Sequence, residues 1–426
     1  MCPMKCVVFD LDGTLTQSEE GIFNCALYTA DRLGVPRPDT ATLRKFVGPP
    51  LKWGFQEYMG LNDEQAERAL AIYRERYATI GLFENRVYPG IRRLLRTLKQ
   101  EGWYVAIATG KPDIPAKRIM AHFRLERYFD RIIGTNERLG PDKPKLITEA
   151  LPARYDEAWM VGDRLFDVEG GRALGIHTIG VGYGYGTEEE LRQAGCEVYA
   201  PTVQDVIDTL CPGVHPSKGL FLSMEGLDGS GKSTQISLLT EGLLRYGFEV
   251  VHSREPGGCP VSEAIRQVIL DRANVGMTAE TEALLYAAAR AQHVRQVIRP
   301  TMAAGKLLLC DRFVDSSVAY QGGGRQLGVQ QVLDINAPAV DGTLPCATVY
   351  LEIGHEAALR RRASVSTPDR IEMEEEAFHA RVEQAYHELI NRDPGRFVVV
   401  DATRSPQAIA DEVLARVLDK LTEAET

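Results

Sequence analysis

No Cys-x-x-Cys pair occurs in this 426-residue chain, whose eight cysteines stand at positions 2, 6, 25, 196, 211, 259, 310 and 346. That scatter excludes a zinc knuckle and a dithiol redox motif. Several of the cysteines fall inside apolar runs such as KCVVFD and KLLLCD, where a reduced, buried thiol is expected. An excess of positive charge is missing as well: the net charge is -10. Proteins that coat nucleic acid or a membrane surface need basic stripes to meet phosphates, so neither nucleic acid nor a membrane is expected as a partner. No apolar run approaches the length needed to span a bilayer. Low-complexity tracts and internal repeats are lacking too. The first residues run directly into a strand-like segment, which leaves no room for a signal peptide and predicts a cytoplasmic protein.

What is present is an ordinary globular composition, 44% hydrophobic and 25% charged. The length exceeds what one core usually organises, so more than one domain is expected. Strand-like runs alternate with amphipathic stretches in two separate series, the pattern of α/β domains with doubly wound parallel sheets. The first series contains KCVVFD, WYVAIAT, RIIGT, AWMVGD and HTIGVGYG, and closes with EVYAPTVQDVIDTL. A segment rich in helix formers, about residues 16–88, is too long for a crossover and reads as an inserted helical cap. The breakers of CPGVHPSKG mark a linker at 213–218 between a domain over 1–212 and another over 219–426. The second series is FLSMEG, FEVVHSR, KLLLCDR, ATVYLEI and RFVVVDA.

In VVFDLDGTL, Asp10 and Asp12 follow a hydrophobic strand and precede a glycine turn. A spacing of two keeps both carboxylates near one side of the strand's carboxyl end, where open α/β sheets bind ligands. Adjacent carboxylates repel, so they share a proton or hold a cation. Thr109 in AIATGK offers a hydroxyl and an amide to a phosphate oxygen, Lys143 in GPDKPKLI a positive charge, and Asp163 with Asp167 two further carboxylates. In this order, on this strand series, these segments resemble the four signature segments of the haloacid dehalogenase superfamily, over about residues 1–210. The resemblance implies a Rossmann-like core and phosphatase chemistry. Asp10 attacks phosphorus, and Asp12 protonates the leaving alcohol and then activates water. Thr109 and Lys143 stabilise the transferring oxygens, and Asp10, the Asp12 carbonyl and Asp163 hold Mg2+. Asp167 orients Asp163 or Lys143. The cap segment LRKFVGPP, with Arg44 and Lys45, is similar to phosphoglycolate-phosphatase-like and 5'-nucleotidase-like members. The phosphomonoester substrate stays open between those classes, a nucleoside monophosphate being slightly favoured by what lies downstream. A regulatory domain without turnover is a further alternative for this half.

The second half opens with a phosphate loop. Gly226, Leu227, Asp228, Gly229, Ser230, Gly231, Lys232 and Ser233 fit GxxxxGK[ST], with an apolar strand before and an amphipathic helix after. Glycines let amides converge on phosphates and the helix start adds its dipole. Lys232 is expected to bridge the β and γ phosphates and Ser233 to ligate Mg2+. Tyr286 and Arg290, four apart, share one helix face, so an aromatic ring can stack on a pyrimidine while Arg290 or Gln292 bonds its edge. GLDGSGKST, REPGG, DRFVDSSVAYQGGGR and DRIE together resemble the thymidylate kinase family over residues 219–423. The resemblance implies a P-loop nucleoside monophosphate kinase fold and transfer of phosphate from ATP to dTMP. It places Tyr286 on the thymine and Ser317 at the base edge, with Tyr320 and nearby Gln321 against the sugar. Arg312 and Arg254 grip the monophosphate, and a homodimer forms through this half. Lid charge is assigned to Arg361 or Arg362, with Arg370 in reserve. A GTP-hydrolysing switch protein is the alternative, disfavoured by the missing NKxD motif.

Overall fold

The computed structural model describes residues 4–47, 51–214, 218–362, 370–371 and 374–424. The chain divides into two compact units, one of Met1–His215 with Leu244–Phe248 and the other of Pro216–Leu243 with Glu249–Thr426.

The first unit is built on strands β1 (Lys5–Phe9), β4 (Tyr104–Pro112), β5 (Arg131–Thr135), β6 (Glu157–Gly162), β7 (His177–Val181) and β8 (Val198–Ala200), all parallel, in the order β5-β4-β1-β6-β7-β8. Between β1 and β4 a short antiparallel pair, β2 (Thr16–Gln17) with β3 (Arg86–Val87), forms the stalk of the cap. Alternate residues of β1 feed two cores, as the period of two requires. Val7 and Phe9 join Val105, Ile107, Ile119 and Val161. Cys6 and Val8 join Ala106, Leu146 and Met160. Apolar runs covered on both faces are what a central parallel strand needs. The cap holds its own core, with Cys25, Phe46, Phe55, Ala66 and Tyr73 among its buried members. Its helices Glu19–Leu33, Thr40–Arg44, Leu51–Met59 and Asp63–Arg76 end in a π-helical turn, Tyr77–Gly81. The helix at Asp63 starts on a capping box in which Asn62 and Gln65 bond each other's backbone amides.

Strands β9 (Leu220–Gly226), β10 (Val250–Arg254), β11 (Leu307–Asp311), β12 (Ala347–Glu352) and β13 (Phe397–Asp401) make the second sheet, again wholly parallel, ordered β10-β11-β9-β12-β13. Both halves are therefore doubly wound parallel α/β units, as the two strand series predict. Every residue of β9 is buried. All cysteines in the described residues are free thiols. Among those residues no helix is long and apolar enough to cross a membrane.

Candidate active sites

Register gathers the first site. Phe9 pairs with Ile107 on β4 and with Val161 on β6, so the ends of three adjacent strands stand level. Asp10 and Asp12, Thr109 and Asp163 therefore meet at one sheet edge. Lys143 reaches them from the helix Lys143–Ala150, with its ammonium 2.6 Å from Asp10 Oδ1, 2.5 Å from Asp167 Oδ1 and 2.8 Å from the Ala108 carbonyl. Carboxylate oxygens of Asp10, Asp163 and Asp167 lie within 4.8 Å of one another, and all three residues are buried. Burial and the neighbouring aspartates push the Asp10 carboxyl up to about 8, against the pull of Lys143. Burial, then Asp167, pushes Asp163 up to about 7. Three buried carboxylates this close together, two of them with raised affinity for protons, suit a divalent cation. The donor set fits Mg2+. Asp163 also accepts from Thr14 Oγ1 at 3.3 Å and from the Tyr185 amide at 2.8 Å.

Thr109 is buried, and its hydroxyl accepts from the Lys111 amide at 3.2 Å. Lys111 is a residue the motif reading passed over. Its ammonium lies 3.0 Å from Asp12 Oδ2 and donates to Tyr77 Oη of the cap at 2.6 Å. Burial acts to lower its pKa, but Asp12 and Tyr77 more than offset this and the ammonium is held. Asp12 Oδ1 is buried without a hydrogen-bond partner among the described residues. Arg44 and Lys45 are exposed on the cap, Lys45 lying over the Tyr58 ring. Gly48, Pro49 and Pro50 of that segment lie outside the described residues.

In the second unit the phosphate loop follows β9 and leads into the helix Lys232–Arg245. Gly226, Gly229 and Gly231 take φ of 144°, 87° and 94°, values that side chains resist and that turn the loop around a concavity. The Lys232 ammonium folds into the loop, 3.1 Å from the Gly226 carbonyl and 3.0 Å from that of Leu227. Burial, aided by nearby Arg312, lowers its pKa. A cavity of about 390 Å³ beside the loop is lined by Ser233, Ser253, Arg254 and Asp311 among others. Asp311 Oδ1 is buried there with no partner among the described residues, which suits a cation shared with the Ser233 hydroxyl.

A second cavity, of about 130 Å³, brings together Tyr286, Arg290, Arg312, Ser317, Tyr320 and Gln321, which come from separate segments of the chain. Asp228, Glu255 and Arg266 share its wall. Arg312 has a positive φ of 67°, a conformation that a non-glycine residue holds only when its surroundings enforce it. Here the enforcement is visible. Its amide bonds the Met224 carbonyl, and the next amide, Phe313, donates to Glu225 at 2.7 Å. The guanidinium is thereby aimed at Asp228 Oδ1, 2.7 Å away, and over the Tyr320 ring. Glu225, which the sequence reading missed, also accepts from Ser316 Oγ and Tyr386 Oη. A charged residue closing an otherwise apolar strand, FLSMEG, was the available signal.

The remaining residues named from the sequence lie as follows. Arg290 lines the cavity but is 1% exposed, its guanidinium engaged by Glu255, Ser317, Asn336 and the Phe313 carbonyl. It holds the wall in place by these bonds. Gln292, on the helix Ala279–His293, pairs with Gln296 just beyond it and is not among the residues lining the cavity, because two residues along a helix turn it far from the Tyr286–Arg290 face. Arg254 lines the cavity of Ser233, not that of Arg312, and pairs with Glu263. Arg361 donates to the carbonyls of Ala402 and Thr403, which follow β13, and lines neither cavity. The Arg362 side chain lies outside the described residues. Arg370 is spent on Glu282 Oε2, at 2.5 Å, and the Ile269 carbonyl.

Comparison with known proteins assigns each half separately. Residues 224–413 match the family model for thymidylate kinase and residues 7–181 that for haloacid dehalogenase-like hydrolase. The chain is 48% identical over 203 residues to a thymidylate kinase of Levilactobacillus brevis, covering 47% of this chain and 95% of that protein. To a thymidylate kinase of Bacillus pumilus it is 46% identical over 205 residues, 48% of this chain and 97% of the other. Among solved structures it is similar to a predicted phosphatase from Clostridium acetobutylicum, with 39% identity and a TM-score of 0.45 over 49% of this chain and 98% of that one. A haloacid dehalogenase-like family hydrolase from Streptococcus pneumoniae gives 32% identity and a TM-score of 0.45, over 49% of this chain and 100% of its own.

Proposed function

The chain belongs to the thymidylate kinase family through its second half and to the haloacid dehalogenase-like hydrolases through its first, and from that premise we propose a bifunctional enzyme. The second half transfers the terminal phosphoryl group of ATP to dTMP, giving dTDP and ADP. The first half hydrolyses a small phosphomonoester with Mg2+.

The kinase reading is carried by one cavity that gathers an aromatic ring, a sugar-side tyrosine and an oriented arginine next to a phosphate loop. Tyr286 stacks on the thymine, Tyr320 crowds the sugar, and Arg312 exchanges its Asp228 contact for the acceptor phosphate. The acceptor is already an anion, so the chain supplies position and positive charge, and no general base is needed. Loop amides and Lys232 receive the donor's phosphates, and Ser233 with Asp311 would hold the Mg2+ that shields their charge. ADP release that rises only when dTMP is added is the expected result. ATP turnover at one rate with or without dTMP would overturn the reading.

For the phosphatase half the carrying observation is the Asp10–Lys143–Asp167 arrangement beside Asp163. Asp10 attacks phosphorus and the ester bond breaks, with Asp12 giving its proton to the leaving oxygen. Asp12 then takes a proton from the water that releases phosphate from Asp10. Lys143 and Thr109 stabilise the phosphoryl oxygens, and Asp10, the Asp12 carbonyl and Asp163 would hold Mg2+, which neutralises the remaining charge. Phosphate release from an aryl phosphate, lost in Asp10→Asn, tests this. Equal background from both proteins would leave the half a non-catalytic domain. A homodimer through the kinase half and a cytoplasmic location complete the proposal.

A further inference from the structure

Apart from the residues that the kinase reading uses, the second unit holds a serine, a histidine and a carboxylate hydrogen-bonded in series. Ser253 on β10 has its Oγ 2.5 Å from Nε2 of His293, whose Nδ1 lies 2.8 Å from Glu255 Oε1. His293 and Glu255 are buried, and Arg290 donates to the other Glu255 oxygen at 2.7 Å. The carboxylate accepts from both neighbours, so Nδ1 carries the imidazole proton and Nε2 is left to accept from the serine hydroxyl. Hydroxyl, histidine and carboxylate in that order make a serine oxygen nucleophilic.

The serine also faces open space. It lines the cavity of about 390 Å³ that Ser233, Arg254 and Asp311 line, the one the kinase reading gives to the triphosphate and its Mg2+. Gly258 lines that cavity too, and a β-carbon there would stand 2.4 Å from Ser253 Oγ and 2.7 Å from His293 Nε2. The missing side chain leaves the pair open to the cavity. With Arg254 on the wall and the phosphate loop beside it, the electrophile such a cavity suits is a phosphoryl group.

We propose that Ser253 is a self-phosphorylation site, which takes the terminal phosphoryl group of loop-bound ATP when no acceptor nucleotide is present. This rests on the kinase reading above and adds a second acceptor to it. A bond forms between Ser253 Oγ and the γ phosphorus, and the bond from that phosphorus to the β–γ bridging oxygen breaks. ADP leaves with the electron pair. The hydroxyl proton passes to His293 Nε2, and Glu255 holds the imidazolium that results.

The test incubates the full chain with γ-labelled ATP and Mg2+ and without dTMP. It carries Asp10→Asn, so that the phosphatase half cannot remove the product. One label per chain is expected, placed on Ser253 by peptide mass spectrometry, at a rate per chain independent of protein concentration. Ser253→Ala and Lys232→Ala each lose it. His293→Gln, with its circular dichroism unchanged, slows it about 100-fold, the usual worth of a general base. Absence of phosphate on Ser253 while dTMP-dependent ADP formation persists overturns the inference and leaves the kinase reading standing. A labelling rate unchanged in His293→Gln, or one that rises with protein concentration, overturns it as well. Absence of both the label and dTMP-dependent ADP formation overturns the kinase reading and this inference with it.

Discussion

At the scale of single residues, burial decides what a charged side chain does. Arg290 was legible as a helix neighbour of Tyr286, but its partners lie 23 to 46 residues away in the chain and only folding supplies them. Removing one member of such a buried set leaves the others without compensation, so Arg290→Ala is expected to cost the kinase unit about 3–5 kcal/mol. Urea unfolding measures this, the kinase transition being identified as the one that ADP and dTMP shift. Glu225 carries a pH dependence. Burial, then Asp315, raises its carboxyl to about 7 from 4.5. The folded form therefore keeps a proton that the unfolded chain gives up. The stabilisation is complete below about pH 4.5 and is lost as pH rises through 7, on the order of 3 kcal/mol in all. Glu225→Gln should flatten that fall in the same unfolding experiment run from pH 5 to 8.

At the scale of elements, turns matter more than the strands they follow. The strand series was readable because parallel strands covered on both faces are continuous apolar runs, and each of the eleven strands of the two sheets overlaps a segment named from the sequence. The π-helical turn that presents Tyr77 was not readable, since its residues carry the same apolar spacing as the helix before it. The turn after Asp12 is a tight constraint in the first site. Gly13 has a φ of 86°, and a β-carbon there would stand 2.1 Å from Asp163 Oδ2. Gly13→Ala must therefore displace the carboxylate or the turn. Phosphate release is expected to fall about 100-fold, the usual cost of misplacing a reacting group by an ångström. A steady-state assay on an aryl phosphate checks this, with circular dichroism showing that the fold persists.

At the scale of the whole molecule, each unit carries its own sheet, core and site, so the two activities are expected to separate by mutation. Lys232→Ala should abolish dTMP-dependent ADP formation and leave phosphate release from an aryl phosphate at the wild-type rate. Asp10→Asn should do the reverse. Measuring both reactions on both variants decides it, and a parallel loss in either variant would mean that the halves depend on one another.

By itself the sequence determined the succession of strands along the chain, the long helical segment after the first of them, and the local motifs, because these depend on neighbours within a few residues. Asp10, Thr109, Asp163 and the phosphate loop could be named for that reason. Only the tertiary structure decided which charges are free and which are spent. Lys143 meets Asp10 across 133 residues, and Glu225 meets Tyr386 across 161. Lys111 likewise finds Asp12 and Tyr77 only when core and cap come together. Hydrogen bonds and ion pairs act over a few ångströms, so the partner of a buried charge is set by which strand ends lie side by side, and no local pattern records it.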